Sequence, residues 1–198
     1  MNIPNRLTVL RLVMVPVFLV SYLISKCDFA MSTTISAVMM FICYATAELS
    51  DFLDGKIARK YNLVTDLGKV MDPFADTLSH LTFFVCFMDS GLMPAWAFII
   101  IMWREFSQQF MRMLMMGVGK AVPANIWGKS KTALYALTSV LSIVYIVVAA
   151  FVAVGSWNAV CEKILYVFYS LSAIAALLSF LTYFSAIMKS KALSGMTR

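Results

Sequence analysis

Polar residues break an otherwise apolar chain into six long apolar segments. They cover residues 12–25, with a start as early as residue 7, then 34–52, 77–88 extended back toward Asp72, 95–116, 133–154 and 164–188. With tilt allowed, each matches the roughly 18–25 residues that a helix needs to cross a bilayer. The pattern predicts an all-α polytopic membrane protein with six transmembrane helices. The links 26–33, 89–94 and 155–163 fall on one side, and 54–70 and 117–132 on the other. Ahead of the first span, Pro4 suits a first helical turn, and Ile3, Leu7 and Leu10 recur at helical spacing among Asn5, Arg6 and Arg11. Residues 2–11 are therefore expected to form a short amphipathic juxtamembrane helix lying along the interface, with a plain lead-in as the alternative. Arg6 and Arg11 before an apolar run resemble a signal peptide, but no A-x-A-like cleavage site follows, so the segment reads as a retained span.

The basic residues orient these spans. Arg6, Lys56, Arg59, Lys60, Lys69, Lys120, Lys129, Lys131, Lys189, Lys191 and Arg198 fall on one side, and only Lys26 and Lys163 on the other. The positive-inside rule makes the richer side cytoplasmic, with both termini and the stretch 51–76 there, as expected in a cell inner (cytoplasmic) membrane. The chain is one domain of 198 residues, 62% apolar and only 13% charged. Its mean hydropathy of +0.85 excludes an ordinary soluble globule. A net charge of +6 raises nucleic acid as a partner, but the charges sit at the ends of apolar runs, where anionic lipid headgroups lie. Cys27, Cys43, Cys86 and Cys161 form no CxxC pair, and with a single His they give no zinc spacing.

The chemistry concentrates between residues 51 and 76. Asp51 and Asp54 are three apart, and Asp72 and Asp76 are four apart, so on helices each pair shares a face. Aspartates near helix ends are ordinarily caps or solvated surface. These pairs instead abut the apolar runs 35–47 and 78–88, where a charge costs up to roughly 2.5–3.5 kcal/mol near a span's middle. Brought together, the carboxylates would repel unless protonated or bound to a hard divalent cation, Mg2+ or Mn2+. A pair of such ions could stabilise the attacking and leaving oxygens of a phosphoryl transfer. A divalent-cation transporter would also use intramembrane acids, but spread through the depth of several spans. Asp66 reads as loop surface and His80 as a core residue. Glu48 is open between a supporting contact, a protonated buried acid and a helix–helix contact.

The stretch Asp51-x2-Asp54-Gly55-x2-Ala58-Arg59-x8-Gly68-x3-Asp72-x3-Asp76 resembles the signature of the CDP-alcohol phosphotransferases, with every defined position met. The resemblance implies an integral membrane enzyme that moves a substituted phosphate from a CDP-linked donor to an acceptor hydroxyl and releases CMP. It implies Asp51, Asp54, Asp72 and Asp76 as ligands for a pair of Mg2+ or Mn2+ ions, with Asp76 also the general base. Gly55, Ala58, Arg59 and Gly68, with Asp54, would line the nucleotide, and the enzyme would be a homodimer.

A second polar group follows. Arg104 and Glu105 fall mid-span, Arg112 lies two turns on, and Lys129 and Lys131 follow Gly128. Arg104, Arg112, Lys129 and Lys131 could hold an anionic acceptor such as a phosphate; pairing with Glu105 or interfacial anchoring are the alternatives. The lead-in from Asn2 to Arg11, Asp72-Pro73-x-Ala75-Asp76, Arg104-Glu105 and Gly128-Lys129-x-Lys131-Thr132 are similar to the bacterial phosphatidylglycerophosphate synthase subfamily. That subfamily implies CDP-diacylglycerol and glycerol 3-phosphate as substrates. Thr77 stands where it usually carries Lys. Inositol phosphate, serine and phosphatidylglycerol are the rival acceptors within the family.

Overall fold

Asn2 starts the first helix by accepting the amide of Asn5 at 3.1 Å, with Pro4 in the first turn. In this computed structural model, which describes residues 2–27, 30–117, 126–152 and 155–189, that helix is α1, Ile3–Ser25. The expected boundary between an interfacial piece and a first span is absent: α1 runs unbroken through both. Its polar side faces inward. Asn5, Thr8 and Arg11 are buried, while Ile3, Val9 and Leu10 are exposed. Arg6 alone of the charged and polar residues named for this stretch stays exposed.

α2, Ala30–Lys60, has 31 residues. At 1.5 Å per residue it is about 46 Å long, well beyond a hydrocarbon core of about 30 Å. Its last turns carry Asp51, Asp54, Gly55, Ala58 and Arg59, so the helix outruns the apolar segment that ends at residue 52. Residues 61–65 make the turn, with Asn62 at φ 52°. Thr65 then caps α3, Asp66–Asp89, by accepting the Gly68 amide at 3.0 Å. Asp66, expected on a loop, is therefore in the first turn of α3, where its charge complements the helix dipole. α4 is Ala95–Gly117, α5 Ile126–Phe151 and α6 Asn158–Lys189, with a 3-10 turn at Gly155–Trp157 before α6. Among the described residues there is no strand.

Among the described residues, four stretches are long and apolar enough to cross a membrane: Ile3–Ser25, Thr33–Lys60, Ser130–Phe151 and Asn158–Met188. The ionisable residues on α3 and α4 set those two helices apart. α1 packs along α2 and α3, α5 pairs with α6, α4 lies on α6, and α2 meets α5. The core is an aromatic ladder. Phe18 of α1 lies tilted on Phe83 of α3 at 4.5 Å, and Phe84 meets Tyr135 of α5 at 5.3 Å and Tyr169 of α6 at 5.9 Å, both edge-on. Such edge-on contacts contribute about 0.5–1.5 kcal/mol each beyond area burial. They pin α3 against three neighbours directly below its acidic end.

Candidate functional site

The acids lie where α1, α2 and α3 meet. Asp51 and Asp54 stand one turn apart on α2, and both are held by Arg11 of α1. Its Nη1 is 2.7 Å from Asp51 Oδ1 and its Nη2 is 2.5 Å from Asp54 Oδ2. Arg11 is 2% exposed and Asp54 4%, whereas the Asp51 side chain is 53% exposed. The Thr8 hydroxyl, one turn earlier on α1, lies 2.7 Å from Asp72 Oδ1 of α3 and 3.4 Å from Asp54 Oδ2 of α2. A hydroxyl has one proton to donate, and the shorter contact gives it to Asp72. One oxygen atom therefore separates a carboxylate of each signature half.

The turn between the halves is also held by α1. Asn2 Nδ2 donates to the Leu63 carbonyl at 2.8 Å, and Asn5 Nδ2 to Thr65 Oγ1 at 3.2 Å. A Cβ on Gly68 would stand 3.1 Å from Asn5 Oδ1 and 3.2 Å from Thr65 Oγ1. Gly68, expected to open the helix to a nucleotide, instead lets α1 lie close against the start of α3. At Gly55 a Cβ would stand 3.4 Å from Arg59 Nη1, so that guanidinium folds back over the glycine. Arg59 is exposed and Ala58 partly buried.

Asp76 completes the group from one turn beyond Asp72, with its side chain 42% exposed. His80 Nδ1 is 3.0 Å from its Oδ1 and 2.9 Å from its backbone carbonyl. On the other side of the ring, Nε2 is 3.8 Å from Glu48 Oε1 of α2. His80, expected to be an ordinary core residue, thus stands between two acids. Thr77 is buried and accepts the Gln109 amide at 2.9 Å, and the same Nε2 reaches the Pro73 carbonyl at 2.6 Å, tying α4 to α3.

The second polar group closes on itself. Arg104 Nη1 donates to Glu105 Oε1 at 2.9 Å and its Nη2 to Ser179 Oγ of α6 at 2.8 Å. Lys131 Nζ of α5 donates to the same Glu105 oxygen at 2.7 Å and lies 4.5 Å over the Tyr135 ring. All three charged residues are buried. Arg104 and Lys131 are thus ion-paired rather than open to a ligand, because unpaired charges at this depth are costly. Two cations share one carboxylate, so the group keeps net positive charge. Arg112 is exposed and bonds the Tyr183 hydroxyl. The side chain of Lys129, and all of Lys120, Lys191 and Arg198, lie outside the described residues.

The structure brings Asp51, Asp54, Asp72 and Asp76 together, and it adds Arg11, Thr8, Asn5 and His80, which the sequence reading had not placed in the site. Asn5, Thr8 and Arg11 are three apart, one helical face, and that spacing was the available signal. Among the described residues, no three His, Cys, Asp or Glu side chains are already disposed as a coordination sphere. The donor set is nonetheless all carboxylate oxygen, as a hard divalent cation requires. Negative charge is in excess around one guanidinium, so the chemistry of the residues fits such an ion.

The chain was compared with known proteins. The CDP-alcohol phosphatidyltransferase family model matches residues 1–189. A CDP-diacylglycerol–glycerol-3-phosphate 3-phosphatidyltransferase of Treponema pallidum is 33% identical over 192 residues, covering 92% of this chain and 88% of that one. A protein of the same name from Bacillus subtilis is 34% identical over 137 residues, covering 66% and 70%. A third, from Rickettsia bellii, is 31% identical over 131 residues, covering 66% and 68%.

Proposed function

The chain belongs to the CDP-alcohol phosphatidyltransferase family, and from that membership we propose that it transfers the phosphatidyl group of CDP-diacylglycerol to sn-glycerol 3-phosphate, giving phosphatidylglycerophosphate and CMP. The names of its relatives support this acceptor. The observation that carries the reading is the meeting of Asp54 and Asp72 across the single Thr8 hydroxyl, which makes one acidic site from two helices.

Asp51, Asp54, Asp72 and Asp76 would hold the Mg2+ or Mn2+ ions, a pair of them, which would offset the charge of the pyrophosphate and of the leaving CMP. Asp76, half exposed, would take the proton of the acceptor hydroxyl as that oxygen attacks the phosphorus bearing diacylglycerol. Arg59, exposed beside Gly55, would fork onto the diphosphate, and the small Ala58 would leave room for the nucleotide. The net positive charge of Arg104, Lys131 and Glu105, with Arg112 and Lys129, would draw the acceptor phosphate. The donor's acyl chains would stay in the bilayer, and the acids would face the cytoplasm, where CMP and glycerol 3-phosphate are soluble. On α4, Ile99, Trp103, Phe106, Phe110 and Met113 alternate four and three apart and are all more than half exposed. That period favours helix–helix packing and supports a homodimer.

Purified protein given CDP-diacylglycerol and a panel of alcohols tests the reading. CMP release with glycerol 3-phosphate, abolished by chelator and by an Asn at any of the four acids, is expected. Release with inositol phosphate, serine or phosphatidylglycerol instead would reject the acceptor and keep the family chemistry.

A further inference from the structure

His80 is a buried ionisable group for which the proposed reaction has no use. It is 9% exposed, it lies 6.1 Å from the Phe84 ring and 6.0 Å from the Tyr135 ring, and both faces of its contact set are acids. Its hydrogen bonding fixes which nitrogen carries the proton. The Asp76 carbonyl at 2.9 Å can only accept, so Nδ1 is the N–H and donates into the space between that carbonyl and Asp76 Oδ1 at 3.0 Å. Nε2 is then turned to Glu48 across 3.8 Å, with no hydrogen-bond partner among the described residues. A ring donating forward to one acid and facing a second behind it is the arrangement by which an outer group orients a working one.

We propose that His80 is a positioning residue for Asp76. The Nδ1–H holds Oδ1 down against α3, which turns the other carboxylate oxygen to the exposed side where the acceptor hydroxyl would arrive. Glu48, from the facing helix, and the flanking Phe84 and Tyr135 keep the ring from rotating out of that register. The proposal rests on the reading of Asp76 as the base.

The chemistry of amides separates this role from simple packing. Asn can place a side-chain N–H where His has Nδ1; Gln reaches instead toward the Nε2 position; Leu fills the space with no donor. The experiment measures CMP release by purified His80→Asn, His80→Gln, His80→Leu and Asp76→Asn enzymes, each with its melting midpoint. Loss of an orienting partner commonly costs roughly 10–100-fold. The expected result is a fall of that size in kcat for H80L and H80Q, KM for CDP-diacylglycerol within about twofold, and recovery of most activity in H80N. If H80Q and H80N are equally impaired, or if H80L turns over like wild type, His80 does not position Asp76 and the inference falls while the proposed function stands. If D76N itself releases CMP at the wild-type rate, the assignment of the base falls and the inference with it. Should H80L prove too unstable to purify, the comparison of H80N with H80Q decides alone.

Discussion

Arg11 offers the most direct test of how the acidic site is held together. Replacing it with Met keeps the length and the apolar stem and deletes the guanidinium. The arm to Asp54 is buried at both ends, 2% and 4% exposed, and breaking a buried pair by removing one partner costs roughly 3–5 kcal/mol. The arm to Asp51 ends on a side chain that is 53% exposed, where an ion pair contributes only about 0–1 kcal/mol. The Asp54 arm therefore dominates. Using the rule of about 2–4 °C per kcal/mol for a chain of this size, R11M should melt roughly 6–20 °C lower in chelator. The sign in metal is opposite. Without the guanidinium the carboxylates repel one another more strongly, so Mn2+ should raise the R11M midpoint by more than it raises wild type, since binding to the folded state alone stabilises it. Arg11→Lys, which keeps charge but loses the fork, should fall between the two. The assay is detergent-solubilised protein heated in EDTA or in Mn2+, with the folded fraction read by size exclusion. An R11M midpoint equal to wild type in EDTA, or an equal shift of both by metal, would refute the account.

Further consequences can be checked in the same format. Thr8→Val preserves shape and removes a hydroxyl bonded to a carboxylate, so it should cost about 1.5–3 kcal/mol in chelator and weaken metal-dependent stabilisation. Gly68→Ala puts a Cβ 3.1 Å from Asn5 Oδ1 and 3.2 Å from Thr65 Oγ1, so the two side chains that hold the turn must shift, at a cost of about 1–3 kcal/mol, read as a lower midpoint and faster proteolysis of the turn at 61–65. Glu105→Leu leaves Arg104 and Lys131 buried against each other and should lower stability by roughly 3–5 kcal/mol, whereas replacing Arg104 and Glu105 together by Leu should recover part of it; equal losses in both variants would show that the trio is not coupled.

The acidic signature was legible because its information is local. Spacings of three and four put Asp51 with Asp54 and Asp72 with Asp76 on common faces whatever the tertiary fold does. The apolar segments were legible for the same reason. Helix ends were not: α2 runs to Lys60 and α3 starts at Asp66 because Thr65 caps and α1 clamps the turn, and neither effect registers in hydropathy. Lys131 could not be matched to Glu105 from sequence, since that pair depends on how α5 sits beside α4. Arg11 was visible as a residue but not as a partner, because its role comes from a helix distant in the chain; His80 stands one turn past Asp76 on α3, but its facing of Glu48 depends on how α2 packs there.

The burial of Asn5, Thr8 and Arg11 at the start of α1 has a physical cause that extends to α4. In water, a helix with a polar and an apolar side turns the polar side out. In a bilayer the solvent is hydrocarbon, and an ionisable group facing it costs roughly 2.5–3.5 kcal/mol or more near the centre. The polar side must then turn in, and it survives there only against opposite charge. α1 obeys this with Thr8 and Arg11 packed on the acids and Asn5 on Thr65, while Val9, Leu10 and Val13 face out. α4 obeys it with Arg104 and Glu105 inside and Trp103, Phe106 and Phe110 outside. An interior built this way contains paired charges by necessity, and a reaction that needs clustered carboxylates beside fixed cations can be run from the residues that the membrane has already driven together.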